Sequence, residues 1–209
     1  MSEPKHTLHY FPQSGNSYKV GLALNCAGIP WNAEKVDYFG GETRTDQWRS
    51  SVNEMGEVPV LEVDGRKLTQ SGSILLHLAQ ETGKFGGATT AEAEEILRWI
   101  LFDNHKFTSY LATYRWMKTF MQPAPHEEVL KFFKARVDGA LAIAGKHLET
   151  NSFVVGNQVT IADFSMAGYL FYPAEEFGFN VRETHPAIGR WLNRLQSLPG
   201  WKAPYELFV

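Results

Sequence analysis

The first eighty residues alternate between short apolar runs and longer segments in which apolar residues recur every three or four positions. The short runs predict four strands, at Thr7 to Phe11, Trp31 to Val36, Val58 to Val63 and Lys67 to Thr69. The periodic segments predict three helices, from about Ser17 to Ala27, near Asp46 to Ser50, and from Ser71 to Gly83. The predicted order of elements is therefore βαβαββα.

The third and fourth strands are joined by Asp64-Gly65, the strongest two-residue pattern for a β-hairpin. Pro59 cannot donate to a ladder, so it marks a sheet edge or a bulge, and a cis peptide bond is open to it. Val58 then offers its own N–H and C=O to an extended peptide. Ser71 is expected to cap the next helix, whose free N–H groups form a site for an anion. This combination suits a small acidic peptide.

The rest of the chain carries the spacing of helices. Lys84 to Thr90 holds two glycines and two threonines and predicts a linker. Thr160 and Asp163 predict a capping box at the start of one helix. Three further helices are predicted, over Ala91 to Met121, ended by prolines, His126 to Glu149, and Pro186 to Leu198 with Ile188, Trp191, Leu192 and Leu195 inward. The predicted domains are residues 1–83, a linker of 84–90, and an all-helical domain of 91–209.

Composition narrows the classes of function. The 209 residues carry a formal net charge of −3 without a long charge run, so nothing indicates nucleic acid or an anionic membrane as a partner. Met1 to His9 lacks an apolar signal-peptide core, and no apolar stretch approaches the roughly 20 residues that span a bilayer. We therefore expect a cytoplasmic protein. The one cysteine, Cys26, excludes an internal disulfide and a Cys-x-x-Cys redox or zinc motif, and no metal site is predicted.

Two motifs together are specific. Gly56-Glu-Val-Pro-Val-Leu61, followed by Gln70-Ser71-Gly-Ser-Ile-Leu75, resembles the glutathione-binding signature of the cytosolic glutathione S-transferases, particularly bacterial, serine-using, theta- or beta-like members. The resemblance spans nearly the whole chain. It implies an α/β thioredoxin-like domain of βαβαββα order, which binds glutathione, followed by an all-α domain that holds the second substrate. Either motif alone would also fit a β-hairpin followed by a capped helix that binds no ligand.

The resemblance also implies roles in binding glutathione. Val58, before a cis Pro59, pairs with the cysteinyl backbone, while Gln70 and Ser71 hold the γ-glutamyl carboxylate. Glu57 stands where many relatives have a basic or amide residue near the glycyl carboxylate, so it is expected to repel that group. Arg44, in the loop before the second helix, is the candidate for compensating this charge.

Transfer of glutathione requires a thiolate at neutral pH, whereas an ordinary thiol has a pKa near 8.5. A hydroxyl donor at a helix N-terminus favours the thiolate through both its hydrogen bond and the helix dipole. By the resemblance Ser14 occupies the place of this donor, with Asn16 as a helper. Tyr10 and Ser17 are the other candidates for the hydroxyl donor. Tyr10 could instead be a packed strand residue, and Ser17 could instead be a helix cap.

The long helix supplies further candidates. Asp103 interrupts an apolar seam, and in relatives an acidic residue of this helix approaches the γ-glutamyl amine in the neighbouring subunit of a dimer. A local ion pair is the alternative, because an unpaired buried carboxylate is costly. The pocket for a hydrophobic electrophile is expected to involve Phe11, Pro12, His105, Lys106, Phe107, Tyr110 and Tyr114. Core packing is the alternative for the aromatic residues, and a solvated helix face for His105 and Lys106.

The predicted function is a homodimeric, detoxifying glutathione transferase that uses glutathione as a co-substrate, without a cofactor, and adds it to hydrophobic electrophiles. Two alternatives remain. One is a non-catalytic binding or carrier protein of the same fold, and the other is a glutathione-dependent isomerase, dehalogenase or lyase, since these reactions share the thiolate. The related isomerases carry a Ser-Ser-Cys loop that this sequence lacks. A cysteine is also missing at the place of Ser14, which argues against thiol-disulfide or dehydroascorbate chemistry.

Overall fold

The structure, a computed structural model, describes residues 5–208 and divides them into two compact units. One unit contains the described residues up to Lys84 together with those from Pro199 onward, and the other is Phe85–Leu198. Residues 1–4 and 209, which the predicted domain boundaries include, lie outside the described part of the chain.

A four-stranded sheet forms the centre of the first unit. Its strands are β1 (His6–Tyr10), β2 (Trp31–Lys35), β3 (Val60–Val63) and β4 (Arg66–Thr69). The spatial order is β2-β1-β3-β4, with β1 and β2 parallel and the other neighbouring pairs antiparallel. The helices are α1 (Gly15–Ala27), α2 (Asp46–Ser51) and α3 (Ser71–Thr82), and a 3₁₀ turn covers Glu42–Arg44. This order confirms the predicted thioredoxin-like domain.

Alternation along the strands sends side chains to both faces of the sheet. Leu8 of β1 pairs with Leu61 of β3, and both are fully buried. Val60, the next residue along β3, packs with Trp48 of α2 on the opposite face. The predicted hairpin is also present, because Val63 pairs with Arg66 across a two-residue turn whose residues both have positive φ, as a type I′ turn requires.

The second unit is helical. Its helices are α4 (Thr90–Phe102), α5 (Thr108–Arg115), α6 (Glu127–Leu148), α7 (Ile161–Ala167), α8 (Val181–Thr184) and α9 (Pro186–Gln196), with a 3₁₀ turn at Ala174–Glu176. The predicted long helix consists of α4 and α5, each followed by a π-helical turn, Asp103–Phe107 and Trp116–Phe120. Helix α9 buries Ile188, Trp191, Leu192 and Leu195 completely, as its amphipathic pattern predicts.

A capping box begins α7, as predicted. The Asp163 carboxylate accepts hydrogen bonds from the Thr160 N–H (2.8 Å) and the Thr160 hydroxyl (3.0 Å). It also accepts from the Val154 N–H and from Trp191 Nε1, each at 2.8 Å. Burial raises the pKa of Asp163 to about 6 in spite of these four bonds. The box therefore ties α9 and the preceding loop to the start of α7.

The C-terminal segment packs on the first unit, in contrast to the predicted helical domain of 91–209. The ring of Tyr10 stacks on Phe208 with centroids 4.0 Å apart, and its hydroxyl donates to the Phe208 carbonyl oxygen (3.2 Å). The Tyr18 hydroxyl donates to the carbonyl oxygen of Lys202 (2.8 Å). A last short helix, α10 (Pro204–Leu207), packs on α1. Burial of aromatic surface from both segments explains this return.

Candidate functional site

Ser14 immediately precedes helix α1. The Ser14 backbone is extended, and its Oγ accepts a hydrogen bond from the Ser17 N–H (3.0 Å). Ser14 is therefore the N-cap, and the alternative that Ser17 caps the helix is wrong, because Ser17 is already its third residue. A hydroxyl that accepts in this way keeps its own hydrogen for donation. Within residues 5–208 the Ser14 hydroxyl makes no second hydrogen bond.

Tyr10, the other rival for the donor, is a packed strand residue. It is buried, and its hydroxyl is engaged by the carbonyl of Phe208. The one hydrogen of the Tyr10 hydroxyl is therefore committed to that carbonyl, and burial also raises the pKa of Tyr10. Ser14 is therefore the hydroxyl donor that the geometry favours at the end of β1.

Helix α3 begins one residue earlier than expected. Gln70 occupies the cap position with a positive φ of 64°, and its side chain does not cap the helix. Ser71 is the first helical residue, so its predicted role as the cap is wrong. Its hydroxyl donates instead to Asn16 Oδ1 (3.3 Å). Because no side chain caps them, the first N–H groups of α3 are suited to an anion.

The peptide bond between Val58 and Pro59 is cis, as the sequence left open. The ladders of β3 with β1 and with β4 both end at Val60. Val58 therefore lies beyond the last paired residue of the strand. This is the position expected for a backbone that pairs with an extended ligand.

The loop before Val58 is organised by two side chains whose contacts the sequence analysis did not predict. Asn53 Oδ1 accepts from the Met55 N–H (3.1 Å), and Asn53 Nδ2 donates to the carbonyl oxygen of Glu57 (3.0 Å). Gln70 Nε2 donates to Glu57 Oε2 (2.9 Å) and contacts Met55 Sδ (3.2 Å). Asn53 forms an Asx turn. An asparagine that precedes a glycine-containing loop is the sequence pattern from which this turn could have been predicted.

Arg44 ends the 3₁₀ turn that precedes α2, and it is exposed. Within the described residues its guanidinium has no ion pair. Compensation of the Glu57 charge by Arg44 in a complex stays a prediction.

Asp103 is 0% exposed and accepts a hydrogen bond from the Ser165 hydroxyl of α7 (2.6 Å). A carboxylate enclosed in its own helical unit has no surface with which to reach a ligand in another subunit. The predicted contact with the γ-glutamyl amine is therefore not supported by this position. The sequence pattern predicted the seam, but it could not show that Ser165 would cover the carboxylate.

The residues expected to hold a second substrate divide between the two units. Phe11 and Pro12 are half-buried in the first unit. The ring of Phe11 stacks on Tyr38 with centroids 4.2 Å apart and meets the edge of Phe39 at 6.0 Å. Phe11 also accepts a backbone hydrogen bond from the Ser14 N–H (3.0 Å). An apolar surface therefore begins next to Ser14.

The remaining members of this set lie in the second unit and differ in exposure. Phe107 is 0% exposed, so its assignment to a pocket is wrong, and it belongs to the core. Tyr114 is also buried and contacts Phe179. Tyr110 is half-buried, with its hydroxyl accepting from Arg136 (3.3 Å), while His105 and Lys106 are exposed. The three partly or fully exposed side chains keep their predicted role as a proposal.

Across residues 5–208, no group of three or more histidine, cysteine, aspartate or glutamate side chains is arranged to hold a metal ion. In the same range no helix combines the length and the apolar character needed to cross a membrane. Cys26 is half-buried, and burial raises the pKa of its thiol to about 11, which disfavours a thiolate.

Comparison with known proteins identifies the family. Residues 8–86 match the model of the glutathione S-transferase N-terminal domain, and residues 107–199 match that of the C-terminal domain. Glutathione S-transferase theta-2 of Mus musculus is 30% identical over 210 residues, covering 96% of this chain and 79% of the relative. The chain belongs to the glutathione S-transferase family. The solved structure of a possible glutathione S-transferase from Rhodopseudomonas palustris shares its fold, with a TM-score of 0.88, 32% identity, and coverage of 96% of this chain and 98% of the other.

Membership of the glutathione S-transferase family does not by itself establish catalysis. Elongation factor 1-gamma of Rattus norvegicus is 24% identical over 203 residues. The match covers 94% of this chain but only 45% of that relative. The family resemblance and the fold class predicted from the sequence are thus confirmed, whereas the reaction has to be argued from the site.

Proposed function

We propose that the protein binds glutathione, stabilises its thiol as a thiolate and transfers the glutathionyl group to a hydrophobic electrophile. One observation carries this proposal: the Ser14 hydroxyl caps α1 as an acceptor and keeps its hydrogen for donation. A thiol bound at this position is stabilised as a thiolate by a hydrogen bond and by the positive end of the helix dipole.

The groups around Ser14 match the parts of glutathione. The uncapped start of α3 binds the γ-glutamyl carboxylate, and Gln70 contributes from the cap position. The Ser71 hydroxyl donates its one hydrogen to this carboxylate in place of Asn16 Oδ1. The unpaired backbone of Val58, before Pro59, binds the cysteinyl backbone. The proximity of Ser71 to Asn16 supports a binding mode in which the carboxylate end of the ligand lies next to the start of α1.

The energies of these interactions are sufficient. Lowering a thiol pKa by about two units requires about 2.7 kcal/mol of differential stabilisation. A hydrogen bond to a charged group contributes about 1.5–3 kcal/mol, and a helix N-terminus adds about 0.3–1 kcal/mol. Ser14 and α1 together therefore account for a thiolate at neutral pH.

The reaction needs no metal or cofactor in this proposal, because the thiolate itself attacks the electrophile. Phe11 and Pro12 provide an apolar surface beside the sulfur. A cytoplasmic homodimer that removes reactive apolar compounds is the corresponding biological setting.

Calorimetry and product analysis test this function. Glutathione is titrated into the protein, and the protein is then incubated with glutathione and an activated aryl halide. Saturable binding and a glutathione conjugate, formed faster than without protein and detected by mass spectrometry, are expected. A protein that forms no conjugate above the uncatalysed rate contradicts the proposal of catalysis.

A binding or carrier protein is the second candidate, favoured by the similarity to elongation factor 1-gamma. This candidate predicts binding of glutathione or of an apolar ligand without turnover. Loss of conjugation in Ser14→Gly, with glutathione affinity retained, favours the transferase. Glutathione binding by the parent and by Ser14→Gly, with neither protein raising conjugation above the uncatalysed rate, favours the carrier.

A further inference from the structure

The carboxylate of Glu57 is held in place at the edge of the proposed glutathione site. The side-chain Oε2 of Glu57 accepts a hydrogen bond from Gln70 Nε2 at 2.9 Å. The backbone carbonyl oxygen of Glu57 accepts one from Asn53 Nδ2 at 3.0 Å. No Lys, Arg or His side chain within residues 5–208 pairs with this carboxylate. An ionised carboxylate has about four acceptor positions, and Gln70 uses one of them. The Glu57 side chain is therefore an exposed anion that one hydrogen bond from Gln70 orients, with capacity for another donor.

The position of Glu57 relates it to one end of glutathione. Its contact, Gln70, is directly followed by Ser71, the first residue of α3. In the γ-glutamyl residue the ammonium and the α-carboxylate are bonded to the same carbon atom. A carboxylate bound at the start of α3 consequently places the ammonium beside Gln70, within reach of a side chain that contacts Gln70.

We propose that Glu57 binds the α-ammonium of the γ-glutamyl residue and so determines the charge pattern of the thiol that this site accepts. This inference rests on the proposed function. The site then recognises a zwitterion: the helix start and Ser71 take the carboxylate, and Glu57 takes the ammonium. Gln70 supports Glu57 by holding one of its oxygens. Glu57 thereby supplies the carboxylate that the buried Asp103 cannot supply.

A cycle of two proteins and two ligands tests the assignment. Binding of glutathione, and of an analogue in which hydrogen replaces the α-amino group, is measured calorimetrically for the parent and for Glu57→Gln. We expect Glu57→Gln to weaken glutathione binding about fivefold, as for a partly exposed ion pair. The same substitution should leave the affinity for the deaminated analogue unchanged, because that ligand has no ammonium.

Glu54 provides a matched control. It is exposed in the same loop, and no hydrogen bond joins its side chain to Gln70. Glu54→Gln removes the same charge and should change glutathione affinity by less than about twofold. Circular dichroism checks that both exposed substitutions leave the fold intact.

Three results overturn the inference. Tighter glutathione binding by Glu57→Gln means that Glu57 repels the glycyl carboxylate, which an analogue esterified at that carboxylate verifies by removing the gain. Equal weakening for both ligands means that Glu57 acts through the loop and not through the ammonium. Unchanged affinity excludes any contact. Conjugation by the parent, measured on the same preparation, tests the proposed function separately, and a parent that binds no glutathione overturns both.

Discussion

The side chains of Asn16 and Ser71 join the starts of two helices. Ser71 Oγ in the first turn of α3 lies 3.3 Å from Asn16 Oδ1 in the first turn of α1. Both helix N-termini carry partial positive charge, so their fields overlap in the region between these residues. The bond connects the candidate carboxylate site with Ser14, which caps α1.

Substitutions of Asn16 and Ser71 should be coupled. Ser71→Ala is expected to weaken glutathione binding about tenfold, because it removes a hydrogen bond from the Ser71 hydroxyl to a charged group of the ligand. Asn16→Ala should weaken it less, because Asn16 positions the Ser71 hydroxyl in the free protein and Ser71 redirects its one hydrogen to the carboxylate on binding. The double variant should resemble Ser71→Ala alone in a calorimetric double-mutant cycle. Additive effects would show that the two side chains act independently, and Ser73→Ala, an exposed serine of the same turn, is the control.

Ser14 should have separable effects on stability and on catalysis. Removal of a serine N-cap by alanine costs about 1 kcal/mol, whereas replacement by glycine costs only a few tenths. We expect Ser14→Ala to lower the free energy of unfolding accordingly and Ser14→Gly to change it little, as measured by urea denaturation. Thr45, whose hydroxyl caps α2 by accepting from the Trp48 N–H (3.1 Å), supplies the control. Thr45→Ala should cost about as much stability as Ser14→Ala and leave conjugation unchanged, and a similar loss of conjugation in Thr45→Ala would contradict a specific role of Ser14.

Asp163 should make stability depend on pH. Its pKa of about 6 in the folded chain exceeds the value near 3.9 of an unfolded chain. Its protonation therefore stabilises the folded state below about pH 4, and this contribution, at most about 3 kcal/mol, is lost as the pH rises through 6. The difference in free energy of unfolding between the parent and Asp163→Asn should consequently be larger at pH 4 than at pH 7. A difference that is constant, or larger at pH 7, would show that the four hydrogen bonds outweigh burial.

The packing of the C-terminal segment should stabilise the first unit. Tyr10→Phe removes the hydrogen bond to the Phe208 carbonyl and is expected to cost about 1 kcal/mol. Phe208→Ala removes the stacked ring and should cost about 2 kcal/mol. Thermal unfolding of both variants measures these losses. Tyr205→Ala, at a more exposed position of the same segment, is the comparison, and equal losses in all three would contradict a specific role of the stack.

Local patterns predicted the fold of the first unit well. The Asp64-Gly65 turn and the strand alternation depend on neighbouring residues, and both are present in the structure. The apolar face of α9, in the second unit, is equally local and is also present. The starts of α1 and α3 were misplaced, because the sequence alone does not show which of several neighbouring polar residues takes the cap position. Ser14 and Gln70 hold those positions instead of Ser17 and Ser71.

Contacts between distant residues were beyond the sequence patterns. Asp103 was recognised as unusual, but its partner Ser165 lies 62 positions away. The return of Phe208 to Tyr10 and the contact between Gln70 and Glu57 are equally non-local. The candidate glutathione residues Val58 and Pro59 came from a motif resemblance, and the structure adds the cis peptide bond and the end of the ladder at Val60.

The most direct test of the central claim is the pKa of the glutathione thiol in the complex. Thiolate absorbance is followed against pH with saturating protein, for the parent and for Ser14→Gly, which lacks the hydroxyl but retains the helix start. We predict a thiol pKa about two units below the usual 8.5 in the parent, returning by at least one unit toward that value in Ser14→Gly. An unshifted thiol in the parent complex, or an equal shift in both proteins, would contradict the claim that Ser14 stabilises the thiolate.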